Sequence, residues 1–221
     1  MRTNIIIGIV VALLLVGGGW YVFSLKQSST NAPAKDLGVK TYPDQGRDHI
    51  VNLAGTEYNS NPPTSGNHFA IWAKRGAYPY LISDGHLLHS LEHGYVLISY
   101  NCGDKASSSA TLKYEAGAPL TTIEPPKENT MSFFTPGNNA PSSVGELPPA
   151  FSSDSCKTLV SSLTGLLSSF DRLIIVPRTN MDSTIAASAW TKQIKMNSLD
   201  LERIKGFIDA YQYQGPEKTI E

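Results

Sequence analysis

The sequence predicts an α+β protein in which helices pack on a small, largely antiparallel sheet with long irregular loops, preceded by one N-terminal transmembrane helix. Three observations predict this class. Two segments, starting near residues 156 and 198, repeat apolar residues at helical spacing. Two short apolar runs, "YVLISYN" (95–101) and "RLIIVPR" (172–178), have the length of buried strands. Segments rich in Pro, Gly, Asn and Ser predict loops elsewhere.

The first predicted element is an uncharged apolar run from Ile5 to Leu25. A helix of about 20 residues crosses the hydrocarbon core of a bilayer, and Trp20 and Tyr21 suit its interfacial end. Arg2 on the short flank predicts a cytoplasmic N-terminus, which places the remaining chain outside the cytoplasm. A cleaved signal peptide is the alternative, because "APA" at 32–34 resembles a cleavage site. The apolar run is longer than a signal peptide needs.

The predicted organisation is a membrane anchor at 1–26, a tether at 27–40 and a single extracytoplasmic α+β domain at 41–217. The formal net charge is −1 and no basic stripe is present, which argues against nucleic acid as a partner. The N-terminal helix predicts the membrane as a partner, and protein partners are left open. The two cysteines, Cys102 and Cys156, are candidates for a disulfide in an oxidising compartment, with two separate thiols as the alternative.

Within the domain, "NSNPPTSGNH" (59–68) predicts an ordered but irregular loop. A short helix follows at 83–94, with Ser83 or Asp84 as its N-cap and Gly94 just past its end. Residues 103–150 have mixed composition and follow the first strand. The second helix starts after the capping candidates at 153–155 and precedes the second strand. "AASAWTKQIKM" (186–196) is a candidate third strand, and the last helix starts near Ser198 and ends at "GPE".

The short helix, "HLLHSLEHG" (86–94), carries the candidate chemistry. At 100° per residue its histidines and Glu92 fall on one side and three leucines on the other. His89 and His93 have the i, i+4 spacing that lets two side chains share one ion. Imidazole suits zinc or copper. The ordinary alternative is a polar helix face that happens to be rich in histidine.

Two histidines do not complete a site, since zinc takes three or four protein ligands. His68, which follows the stiff "PPTSG" turn, and His49 are the candidates to join His89 and His93. Glu92 would orient a ligand by accepting from a ring N–H. The predicted cofactor is copper or zinc, and Met181 is a soft ligand candidate if the ion is copper.

Two other functions remain open. "HSLEH" matches the H-x-x-E-H string of inverted zinc peptidases, with Glu202 as a conceivable third ligand. A hydrolase could instead use His89 with Glu92 as its base, but no nucleophile is recognisable in the sequence, and Ser65, three residues before His68, is only a weak candidate. Alternatively, the His, Tyr and Glu side chains form a purely structural polar network in a non-catalytic structural or interaction module. Whether the protein is an enzyme is left open.

The motifs "PPTSG-x-H" and "H-S-L-E-H-G", together with "VPR", "ASAW" and the late "FIDAY…GPE", resemble the prokaryotic family called domain of unknown function 3105, over about residues 38–217. The resemblance implies a membrane-anchored or secreted module. It singles out six residues, and Tyr58 joins Glu92 as a supporting group on this basis: His49, Tyr58, His68, His89, Glu92 and His93. His86 lies outside the family pattern and is predicted at the solvated edge. This chain has Thr191 where the family commonly has glycine.

Overall fold

The computed structural model describes residues 36–105, 112–113, 133–137 and 146–218. The predicted membrane helix at 5–25 lies outside these residues. Among the helices described, none has the length and apolar character needed to cross a membrane. The described chain contains α-helices and strands in mixed order, so the predicted α+β class is confirmed.

Ten strands and three α-helices are described. The main sheet has six strands in the order β1-β10-β9-β5-β8-β4, and two small pairs, β2-β6 and β3-β7, lie outside it. The helices are α1 (Asp84–Glu92), α2 (Asp154–Thr164) and α3 (Leu201–Tyr211). The strands are β1 (Lys40–Thr41), β2 (Glu57–Tyr58), β3 (Trp72–Ala73), β4 (Gly76–Ala77), β5 (Val96–Tyr100), β6 (Leu112–Lys113), β7 (Phe133–Phe134), β8 (Leu173–Pro177), β9 (Ile185–Ala189) and β10 (Lys192–Met196).

The prediction of a largely antiparallel sheet was wrong, because the sheet is mixed. β5 pairs in parallel with β8, and β8 pairs in parallel with β4, whereas β9, β10 and β1 add antiparallel strands on the other side. Helix α2 lies between β5 and β8 in the chain, and a helical crossover is what parallel neighbours require. Strands buried on both faces read as continuous apolar runs, which fits "VLISY" and "LIIVP".

One face of the sheet is covered by α2 and α3. Their apolar residues, among them Leu163, Ile204 and Phe207, form one core with the side chains that β5, β8, β9 and β10 direct to that face. Helix α2 is capped by Ser153, whose side chain accepts from the Cys156 amide, as the sequence predicts. Helix α3 starts slightly later than predicted, after its N-cap Asp200.

The opposite face is covered by α1 and by the irregular segment before it. Leu87, Leu88 and Leu91 pack on this face against Leu97 and other buried side chains, forming a second core. The predicted ends of α1 are confirmed: the Ser83 side chain accepts from the Gly85 amide, and Gly94 adopts φ 81° just past the end. Every residue of α1 is buried, because the loops also cover its histidine side.

The predicted third strand is two strands. β9 and β10 form an antiparallel hairpin in which Ala189 pairs with Lys192, so Trp190 and Thr191 make the turn. Thr191 adopts φ 61°, a conformation that a β-branched residue rarely takes. The sequence does not indicate this turn, because Thr191 stands where a glycine would have marked a hairpin.

The two cysteines lie at disulfide distance, with their Cα atoms 5.7 Å apart. Cys102 follows β5 and Cys156 lies in the first turn of α2. The pair therefore ties the end of β5 to the helix of the crossover, in agreement with the predicted pairing.

Candidate metal centre

The loop that carries His68 is fixed by backbone and side-chain hydrogen bonds. His68 forms a parallel β-bridge with His49: its amide donates to the Asp48 carbonyl at 3.0 Å, and its carbonyl accepts from the Ile50 amide at 2.7 Å. The Tyr58 hydroxyl donates to the Asn67 carbonyl at 2.6 Å, and that residue precedes His68. His49 and His68 are thus held side by side by bonds that do not involve the helix.

This loop is attached directly to α1. The Phe69 amide donates to the Gly85 carbonyl at 3.1 Å, and a Cβ on Gly85 would collide with the Phe69 ring. The close approach lets the loop lie along the helix. The structure therefore brings His68 to the helix face that carries His89 and Glu92, which is the arrangement on which the predicted site depends.

Four side chains converge at this contact. One ligand atom each of His49, His68, His89 and Glu92 lies within 4.8 Å of the others. The first residue is exposed and the other three are buried. Four ligands around a tetrahedral zinc ion lie about 3.4 Å apart, given bonds of about 2.0–2.1 Å. Small side-chain rotations would therefore suffice to enclose an ion, and His49 would close its solvent side.

The two buried histidines have their tautomers fixed by backbone carbonyls. His68 Nδ1 lies 2.8 Å from the Gly66 carbonyl, and His89 Nδ1 lies 2.7 Å from the Phe69 carbonyl. A carbonyl only accepts, so each Nδ1 must carry its proton. In the neutral ring, Nε2 then has a free lone pair. Such bonds are typical of metal-binding histidines, because they orient the ring and raise its basicity.

Glu92 lies where the His68 lone pair points. Its Oε2 is 3.0 Å from His68 Nε2, and its Oε1 is 3.4 Å from Arg47 Nη1. Burial alone would raise the pKa of the Glu92 carboxyl, but the hydrogen bond with His68 and the charge of Arg47 lower it below its usual value. Glu92 is thus an anion, and a proton or a cation has to lie between it and His68.

His89 and His93 face each other on the same side of α1, with their Nε2 atoms 2.9 Å apart. Burial, together with the neighbouring His68 ring, lowers the pKa of His89 to about 3. His89 is therefore neutral near pH 7, and its Nε2 accepts a hydrogen bond from His93 Nε2. The His93 ring packs against Trp72 at 4.6 Å between centroids, and His93 Nε2 lies 3.9 Å from a carboxylate oxygen of Glu217.

Other candidate residues lie elsewhere. Met181 is buried, and its carbonyl accepts from the side-chain Nδ2 of Asn101, beyond the carboxyl end of β5. His93, in contrast, precedes the amino end of that strand. The Ser65 hydroxyl donates to the Pro43 carbonyl at 3.4 Å and accepts from a backbone amide. Glu202 is exposed on α3, with its carboxylate 3.1 Å from Lys205 Nζ.

His86 was predicted at the solvated edge, and this was wrong. It is 3% exposed, and its Nδ1 donates to the Ile71 carbonyl. The segment from Phe69 to Ala73 lies over this side of α1 and excludes water from a ring that the helix alone would leave exposed. Helical periodicity shows which side of a helix is polar but does not show whether another segment covers that side.

Sequence reasoning missed two contributors. Glu92 was predicted to support the ligands, yet its carboxylate lies among the potential ligand atoms. Glu217 was interpreted only as part of the "GPE" that ends the last helix. Its ligand atom groups with those of Glu92 and His93, again within 4.8 Å. The "GPE" string was a usable signal, because it was among the motifs that carry the family resemblance.

The family model described as "Protein of unknown function (DUF3105)" matches residues 49–140 and 145–221. Both histidine segments and "GPE" lie within the match. Neither the curated proteins nor the solved structures contain a match to this chain.

Proposed function

The chain belongs to the DUF3105 family of proteins of unknown function, and we propose that it binds a transition-metal ion through His49, His68, His89 and Glu92. Three of these ligands are buried, and the exposed one leaves a route for the ion from solvent. This is the predicted metal site with one change, in that Glu92 replaces His93 as the fourth ligand.

The observation that carries the proposal is the contact between His68 Nε2 and Glu92 Oε2 at 3.0 Å. The Gly66 carbonyl holds the proton of His68 on Nδ1, so two atoms with lone pairs face each other. A metal ion between them would satisfy both atoms and balance the buried carboxylate. The His89 ring is fixed in the same way by the Phe69 carbonyl.

Three imidazoles and one carboxylate favour zinc over copper in our proposal. This donor set is borderline to hard, and zinc accepts nitrogen and oxygen ligands in a tetrahedral arrangement. Met181, the soft ligand candidate for copper, lies beside Asn101 at the far end of β5. Cu²⁺ remains a useful probe, because imidazole binds it tightly.

We also propose that residues 1–26 anchor the domain in the membrane, through a tether at 27–40, and that the domain lies outside the cytoplasm. The cysteine pair supports this, since disulfides persist in oxidising compartments. Protease added to spheroplasts that express the full chain should remove the domain while a cytoplasmic marker stays intact. Protection of the domain until the cells are lysed would contradict this location.

A structural polar network is the second candidate function. The observation that favours it is that His68, His89 and Glu92 each have a protein partner at hydrogen-bonding distance. A shared proton between His68 and Glu92 would then replace the ion. In that case the domain should keep its thermal stability in strong chelator, with no metal released.

The test of metal binding is elemental analysis of the full chain, purified in detergent after zinc-supplemented expression. We expect at least one equivalent of zinc per chain, and loss of that zinc in His68→Ala and in His89→Ala. His86→Asn is the matched control, because His86 is another buried histidine of α1 that lies outside the group of ligands. Less than about a tenth of an equivalent of any transition metal in the parent chain would refute the proposal.

A further inference from the structure

We infer that the site has a second ion position, formed by Glu92, His93 and Glu217 and sharing Glu92 with the first. This inference rests on the proposed function and extends it to a pair of ions. The ligand atoms of these three residues lie within 4.8 Å of one another, as do those of the first group. Glu92 belongs to both groups and is 3% exposed.

His93 is not among the ligands of the first position. His49, His68, His89 and Glu92 already supply four ligands, which is the usual complement for zinc. Yet His93 is 7% exposed, and its ring is held against Trp72 with 33° between the planes. Its Nε2 lies 3.9 Å from Glu217 Oε2 on one side and 2.9 Å from His89 Nε2 on the other.

Glu217 is brought to this position by a fixed backbone. After α3, the Tyr213 amide donates to the Gly94 carbonyl at 2.8 Å, and the Glu217 amide donates to the Glu92 carbonyl at 3.1 Å. A Cβ on Gly215 would collide with the Glu92 carbonyl oxygen, so glycine is needed for this close approach. The segment 213–217 is therefore tied to the end of α1 that carries two of the ligands.

A carboxylate with two oxygens suits a shared ligand. Glu92 Oε2 faces His68 and belongs to the first position, whereas Oε1 lies 3.4 Å from the mostly exposed Arg47 and is available to a second ion if Arg47 turns toward solvent. Two-metal sites hold their ions about 3.5–4 Å apart. The adjacent Nε2 atoms of His89 and His93 would then each bind a different ion, in place of the hydrogen bond that joins them in the metal-free protein.

The second position has an open side. Glu217 is 45% exposed, and three protein ligands leave a coordination position for water, as in catalytic zinc sites. The two positions therefore differ in kind: the first is enclosed by four side chains, and the second is open to solvent. We expect the second ion to exchange faster and to be lost first in chelator.

The experiment measures zinc stoichiometry in the full chain in detergent, at saturating zinc followed by gel filtration. We expect two equivalents in the parent chain and one in Glu217→Gln, which removes an exposed charge and leaves the fold intact. His93→Phe should also retain one equivalent. Glu202→Gln is the matched control and should retain two, since that exposed glutamate pairs with Lys205 on α3.

The outcomes separate this inference from the proposed function. One equivalent in the parent chain, lost in His68→Ala, would overturn the second position and leave the first. No zinc at all would overturn both. Two equivalents that persist in Glu217→Gln would also overturn the second position. With Cu²⁺ as the probe, two ions that share Glu92 should couple magnetically and weaken the isolated-ion resonance signal, which should return at full strength for one ion in Glu217→Gln.

Discussion

His86 should make the metal-free domain sensitive to acid. The ring is 3% exposed, packs edge-on against Phe69 and Phe134, and donates from Nδ1 to the Ile71 carbonyl. Burial lowers its pKa from 6.5 to about 4, although the hydrogen bond to Ile71 opposes this change. The perturbation is His86→Asn, which keeps a donor for the carbonyl but has no charge to gain.

The lowered pKa of His86 determines how much the free energy of unfolding changes with pH, and in which direction. Protonation is harder in the folded protein than in the unfolded chain, so the stabilising contribution is complete above pH 6.5 and is lost as the pH falls toward 4. Each pKa unit corresponds to about 1.4 kcal/mol. Between pH 7 and pH 4, His86 should therefore remove about 3 kcal/mol from the free energy of unfolding.

The assay is urea unfolding of the parent chain and the variant at pH 7 and pH 4, with chelator present so that metal binding does not contribute. At pH 7 the variant should be the less stable, because asparagine fills less of the buried space. At pH 4 the difference between the two free energies of unfolding should shift in favour of the variant by about 3 kcal/mol.

His86→Gln is the control for packing, because its cost at pH 7 will differ while its gain at pH 4 should be the same. The reasoning is refuted if the difference between parent and variants stays constant from pH 7 to pH 4. Such a result would mean that water reaches His86 or that the ring is not buried as the structure shows.

Three further predictions concern stability. Thr191→Gly should raise the free energy of unfolding by about 1 kcal/mol, because glycine relieves a left-handed strain of about 1–2 kcal/mol but costs some backbone entropy. Thermal unfolding checks this, and Thr191→Ala should raise the free energy of unfolding by less. Reduction of the cysteine pair, 54 residues apart, should cost about 4 kcal/mol, measured by urea unfolding with and without reductant, and an unchanged midpoint would contradict it. Zinc at about 100 times its dissociation constant should add about 2.7 kcal/mol, seen as a higher melting temperature that is absent in His68→Ala.

Local patterns predicted the regular elements well. The spacing of Leu163 and its neighbours, the serine caps and Gly94 all depend on contacts within a few residues, so the sequence contains them. The sheet topology, in contrast, could not be predicted from local patterns. A parallel pairing of β5 with β8 depends on a crossover that spans residues 101–172, and apolar runs do not show which neighbour a strand will choose.

The candidate site was partly predictable for a similar reason. The i, i+4 histidines and the rigid loop before His68 are local features, and the structure brings His68 to His89 but groups Glu92 rather than His93 with them. The membership of Glu92 in the ligand group depends on where the loop places His68. Glu217 reaches the site only through backbone bonds that join residues far apart in sequence. Neither contact has a periodic signal.

The position of β5 has a consequence for the order of folding. Both of its neighbours come late in the chain: β8 begins at Leu173 and β9 at Ile185, whereas the histidines of α1 immediately precede β5. During synthesis, the leucine face of α1 therefore emerges long before β8 and β9, the strands that complete the sheet on which this face packs. Because such distant pairings form slowly, this apolar face stays exposed in the nascent chain until β8 and β9 have joined β5. Until then, Leu87, Leu88 and Leu91 form an exposed apolar surface that favours aggregation.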